Sequence, residues 1–183
     1  MDEKVWKAEL VEDKVIIWDI EGAKQIFENG WYGELLEDRL ELALVEASLL
    51  LERGKIEILK TKKKKMSFQN FYEHCLKIDP RFHTRYVVYK DLRERGLPVR
   101  TGFKFGCDFR VYERGVTPVK KGPKAQHEHT HWIVFCVAED YACSFQELSR
   151  AVRLAHNIRA NMLWAVVDNE NDTTYYQITY LSP

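Results

Sequence analysis

Ser144 and Glu147 form a capping-box pattern, a hydroxyl at a helix start with a carboxyl three residues on. They open a helix expected through Asn157. Strand-like runs flank it, His131 to Ala138 before and Met162 to Val167 after. A last strand, Thr173 to Leu181, follows the acidic turn Asp168-Asn169-Glu170-Asn171-Asp172. Upstream, Asp79-Pro80 starts a helix that runs to Gly96, with proline in its first turn. Two strands are then expected, Val99 to Phe105 and Cys107 to Tyr112, broken by Gly106. Gly115 to Gln126, with its glycine, prolines and lysines, reads as a mobile loop. This half is therefore expected to be a mixed sheet with flanking helices.

The first part of the chain reads as a smaller α/β unit. Val15 to Trp18 is a buried strand, and Glu21 to Phe27 is a short helix stopped by Asn29-Gly30. Glu34 to Arg53 is the clearest helix, with Leu36, Leu40 and Leu44 in one row and Leu42, Val45 and Leu49 in the next. Gly54 sits where a C-terminal cap belongs, and Lys55 to Leu59 is a short strand. Lys60 to Lys65 is a basic run broken only by Thr61, read as a solvated loop, with phosphate contact as its second reading. Ser67 caps a helix through Leu76. A boundary near Lys77-Ile78 divides the chain into domains 1–78 and 79–183. The class is α/β (α+β), a small N-terminal α/β domain and a C-terminal mixed-sheet domain.

Charge decides little here. Lys plus Arg and Asp plus Glu both number 28, so only a local field could attract nucleic acid. No run approaches the roughly 18 apolar residues of a membrane span. The start, Met1-Asp2-Glu3-Lys4, has no apolar signal core. A soluble, cytoplasmic protein is expected. Cys75, Cys107, Cys136 and Cys143 lack paired short spacing and read as buried thiols.

Four stretches of the second half resemble the archaeal tRNA-splicing endonuclease (tRNA-intron endonuclease) family. They are Arg85 to Gly96 (RYVVYKDLRERG), Thr101 to Tyr112 (TGFKFGCDFRVY), His129 to Val134 (HTHWIV) and Arg153 to Ala160 (RLAHNIRA). Gly22-Ala23-Lys24-Gln25 and Trp31-Tyr32-Gly33 extend the resemblance into the first half. The resemblance implies a nuclease domain at the C-terminal end and cleavage of precursor tRNA at a bulge-helix-bulge. It implies 2′,3′-cyclic phosphate and 5′-hydroxyl ends, as a metal-independent lyase-type reaction without a cofactor. By resemblance Tyr112 is the base, His129 the acid, and position 160 the place of a lysine that supports the transition state. A free phenol, with pKa near 10, needs a neighbouring cation to act as a base, whereas imidazole, near 6.5, suits the acid role.

The chain departs from the family at that lysine: Arg159 is followed by Ala160 and Asn161. Three readings stay open. Lysine has been deliberately replaced, which is preferred because Tyr112 and His129 are intact; the chain is a natural non-catalytic subunit of a mixed tetramer; or another cation, Arg159 or Lys104, has taken over.

The resemblance also implies that Arg153 clamps a bulged base, and that the assembly is a homotetramer or mixed tetramer. Lys120, Lys121 and Lys124 are candidate RNA-steering residues in the loop between Tyr112 and His129. Tyr176, Ile178 and Tyr180 share one face of the last strand, and an apolar edge of this kind invites pairing with another copy. Asp168, Glu170 and Asp172 resemble a family loop that docks in a basic pocket of the facing dimer. A rival reading takes His127, His129 and His131, spaced i, i+2, i+4, as a zinc site.

Overall fold

The computed structural model describes residues 4–60, 64–102, 105–119 and 129–181. The chain divides into two compact units, Met1–Tyr86 and Val87–Pro183.

The first unit carries a six-stranded mixed sheet in the order β3-β4-β2-β1-β5-β6. Its strands are β1 (Trp6–Val11), β2 (Lys14–Ile17), β3 (Glu34–Leu35), β4 (Leu40–Ala43), β5 (Ile56–Lys60) and β6 (Lys64–Lys65). Its helices are α1 (Ile20–Gly30), α2 (Leu44–Glu52) and α3 (Phe68–Ile78). Strands β1, β4 and β5 alternate, burying Trp6 and Ala8, Leu40 and Leu42, and Ile56 and Ile58, while β2 buries Val15, Ile16 and Ile17 in a row. Helix α1 presses so closely on β1 that a Cβ at Gly22 would lie 2.4 Å from the Trp6 ring. Asp19 accepts from the Gly22 N–H and Ser67 from the Asn70 N–H, so both helices start on a side-chain cap.

The long helix expected over Glu34 to Arg53 is not formed; only its second half, α2, is helical. Leu40 and Leu42 lie on a strand that pairs with β2, with Ile17 opposite Leu40 and Val15 opposite Leu42. The leucines satisfy both a period of two and an i, i+4 row, and sheet pairing decides between them. Buried Glu46 then ties the segment together. One carboxylate oxygen accepts from the Ala43 N–H at the helix start, and the other accepts from the Gly33 N–H. The basic run also departs from a plain loop, because Lys60 and Lys64 face each other on the β5–β6 ladder.

The second unit is a five-stranded mixed sheet, β11-β10-β9-β8-β7. Its strands are β7 (Val99–Thr101), β8 (Phe109–Val111), β9 (Trp132–Ala138), β10 (Asn161–Val167) and β11 (Thr173–Ile178). Strands β9 and β10 are parallel, which requires a crossover, and α5 (Phe145–Asn157) supplies it. Ser144 and Glu147 form the expected capping box. Helix α4 (Phe82–Glu94), whose residues from Val87 on belong to this unit, begins after Asp79-Pro80, later than the proline signal implied. Strands β7 and β8 are shorter than expected, with a turn through Gly106 at φ 69 between them.

The two faces of this sheet have different partners. Ile133 and Met162 pack with Ala151, Val152 and Ala155 of α5. On the other face, the Tyr89 ring of α4 lies 5.4 Å from that of Phe109, and the Tyr175 hydroxyl donates to Asp91. Cys75, Cys107 and Cys136 are buried free thiols, whereas Cys143 is exposed. Burial pushes the Cys75 thiol up to about 12, so it is not a nucleophile.

Candidate active site

The site is built by the ends of β8, β9 and β10. Val111 is paired with Trp132, and Trp132 in turn with Asn161. The ladder continues one step past the strands: the His131 N–H donates to the Val111 carbonyl at 2.9 Å, and the Asn161 N–H donates to the His131 carbonyl at 2.8 Å. Tyr112 follows directly on β8 and Ala160 directly precedes β10. The backbone therefore carries Tyr112 and Ala160 to either side of His131. Two interstrand spacings give about 10 Å between their backbones. His129 lies two residues upstream of His131.

Position 160 is held by the way α5 ends. The Ala160 N–H donates to the Ala155 carbonyl at 2.9 Å and the Arg159 N–H to the His156 carbonyl at 3.0 Å. These are the paired bonds of a Schellman motif. The residue in the left-handed conformation is Arg159, at φ 56, where glycine would be easiest. The Ala160 methyl packs against the α5 cluster.

The side chains differ in access. Tyr112 is only 2% exposed, while His129 and Arg153 are exposed. Beside Tyr112, the Glu113 carboxylate lies 2.8 Å from Nδ1 of His131. Sequence reasoning missed this contact, because 18 residues separate the partners and no spacing rule joins them. Lys104, Lys120, Lys121, Lys124 and His127 lie outside the described residues. The three-histidine zinc reading therefore rests in part on an undescribed residue. Among the described residues no group of three His, Cys, Asp or Glu is placed to hold a metal ion.

The expected assembly residues lie at the other end of β10 and along β11. Asp168 Oδ1 accepts from the N–H groups of Glu170 and Asp172, both at 2.9 Å, while Asn171 takes φ 67. The turn is thus organised by Asp168 and leaves Glu170 and Asp172 exposed. Strand β11 is the sheet edge. It ends at Ile178, short of the expected Leu181; Tyr176 on it and Tyr180 beyond it are exposed, but Ile178 packs against the α5 cluster of its own chain. Among the described residues no helix is long and apolar enough to cross a membrane.

Residues 6–72 match the model of the tRNA intron endonuclease N-terminal domain, and residues 82–175 match its catalytic C-terminal domain. A relative from Thermococcus onnurineus, called tRNA-splicing endonuclease, is 40% identical over 86% of this chain and 85% of its own length. One of the same name from Thermococcus kodakarensis is 37% identical over 92% of this chain and 94% of its own. A longer one, from Methanosarcina mazei, is 42% identical over 89% of this chain but only 45% of its own length.

Two α+β units in this order, matched in turn by the N-terminal and catalytic C-terminal domain models, mark a two-domain protein of RNA-endonuclease type. The chain belongs to the tRNA intron endonuclease family.

Proposed function

We propose that the chain is a tRNA-splicing endonuclease subunit that cuts precursor tRNA at a bulge-helix-bulge, and that Ala160 impairs it. The observation that carries this reading is the ladder that sets Tyr112 and Ala160 on either side of His131, with His129 two residues upstream. The relatives' shared name supports the substrate.

In the proposed reaction Tyr112, as phenolate, takes the proton of the ribose 2′-hydroxyl. The 2′-oxygen attacks the adjacent phosphorus, the bond from phosphorus to the 5′-oxygen breaks, and His129 donates its proton to that leaving oxygen. The products are a 2′,3′-cyclic phosphate and a 5′-hydroxyl, and no metal takes part. A lysine at position 160 would hold negative charge on Tyr112 and on the crowded phosphate. An alanine methyl does neither.

The functional domains are 1–78 and 79–183, and the protein acts in the cytoplasm. Arg153 and the lysines Lys120, Lys121 and Lys124 contact the RNA. The chain assembles as a homotetramer through the β11 edge, with Tyr180 and Ile178, and through the turn carrying Asp168, Glu170 and Asp172. The exposure of Tyr176 on the edge strand, and of Tyr180 just past its end, supports this role.

The test is Ala160→Lys. It should cleave a bulge-helix-bulge RNA about 10²–10³ faster than the chain as it stands, with cyclic phosphate ends and no loss of rate in chelator. An unchanged rate overturns the role of position 160. Tight RNA binding without cutting, even with lysine restored, points instead to a structural, RNA-binding subunit of a mixed tetramer.

A further inference from the structure

The basic run of the first unit is arranged differently from a solvated loop. Ile56 and Ile58 of β5 are buried, and the alternation that buries them puts Lys60 on the same, helix-facing side where the strand leaves the core. Antiparallel pairing sets Lys64 directly opposite Lys60. Directly opposed side chains have Cβ atoms about 4.5–5.5 Å apart, and like charges there are destabilising. Lys65, on the other side of the ribbon, is neutralised by Glu57 at 2.6 Å. Among the described residues no carboxylate forms an ion pair with Lys60, Lys64 or Lys77.

Helix α3 adds to the same corner. His74 is held below the usual histidine range by its burial, and then by the positive fields of Lys60 and Lys77. Lys60 on the sheet and Lys77 on the helix thus act on one imidazole. Both lysines therefore disfavour a further positive charge on that imidazole. In a chain whose charges sum to zero, three ammonium groups collect at one corner against an electrostatic cost to the fold.

Lysines on an edge strand also guard against edge-to-edge pairing. That role fits Lys64 on β6. It does not call for Lys60, which lies on an inner strand, or for Lys77, which lies on a helix.

We infer that Lys60, Lys64 and Lys77 form a second RNA contact, a site in the N-terminal unit that takes the phosphate backbone of the precursor tRNA. It rests on the proposed RNA function but uses none of the cleavage residues. Ammonium groups grouped in this way suit a phosphate backbone, which requires charge without base identity. The site therefore adds affinity and salt dependence and leaves the choice of cleavage site unchanged.

The test is equilibrium binding of an intron-containing precursor tRNA at several salt concentrations. It compares the chain as it stands with the triple variants Lys60→Gln/Lys64→Gln/Lys77→Gln and Lys60→Arg/Lys64→Arg/Lys77→Arg. The glutamine variant should bind about tenfold or more weakly near 0.15 M salt, with a log–log salt slope shallower by about 2. The arginine variant should bind as the parent does. The inference is overturned if the glutamine variant keeps the parent's affinity and slope, including the case in which it self-associates and so reveals an edge guard. It is also overturned if the arginine variant loses affinity as the glutamine one does. Failure of the parent itself to bind precursor tRNA would instead sink the endonuclease reading.

Discussion

The N–H of Ala160 donates to the carbonyl of Ala155 at 2.9 Å, tying the first residue before β10 to the last turn of α5. This bond makes position 160 a point of defined backbone geometry whatever side chain it carries. The same motif places Arg159 at φ 56. A non-glycine residue pays about 1–2 kcal/mol for that conformation. Arg159→Gly relieves the strain but adds unfolded-state freedom. A net gain of about 0.5–1 kcal/mol is expected, seen as a higher urea midpoint at unchanged slope. A lower midpoint would mean that the arginine side chain stabilises the fold more than its backbone strains it.

If Tyr112 and His129 are base and acid, their loss should be visible once the missing charge is restored. In the Ala160→Lys background, Tyr112→Phe and His129→Ala are each expected to slow cleavage by about 10²–10⁴ while leaving RNA affinity nearly unchanged. Single-turnover rates and binding curves on the same RNA separate the two effects. Full speed in either variant removes that residue from the reaction.

Glu46, 2% exposed, accepts the N–H groups of both Gly33 and Ala43 at 2.9 Å. Glu46→Ala leaves two amides without their acceptor and opens a gap at the start of α2. A loss of about 2–4 kcal/mol is expected in chemical unfolding. Glu46→Gln keeps one acceptor oxygen but turns an NH₂ toward one of the amides, so it should recover only part of that loss. A neutral Glu46→Ala would show that water reaches these amides in place of the carboxylate.

His74 supplies a pH dependence of stability. Its folded-state pKa is depressed, by burial first and then by Lys60 and Lys77. Between that depressed value and the unfolded value near 6.5, the unfolded chain binds more protons than the folded one. Stability is therefore fully present above about 6.5 and declines as the pH falls through the window below it. Urea midpoints at pH 7.5 and pH 5 should differ more for the parent than for His74→Gln. Equal differences would exclude His74 as a source of acid sensitivity.

Much of the second unit was legible along the chain. The capping box at Ser144 and Glu147, the flanking strands and the acidic turn are local patterns, and local hydrogen bonding is enough to produce them. The first unit was less legible at Leu40 and Leu42, because a leucine run satisfies helix and strand periods at once. The Glu113–His131 contact left no local mark at all.

By itself the sequence determined the family, the α+β class and which residues were available for chemistry, since these follow from residue identity and short-range pattern. Tertiary structure alone decided that Leu40 and Leu42 enter a sheet and that Lys60 stands opposite Lys64. It also set Tyr112 and Ala160 on either side of one histidine. Strand register couples residues far apart in the chain through hydrogen bonds between backbones. No periodicity within a single segment carries information about which backbone its partner will be.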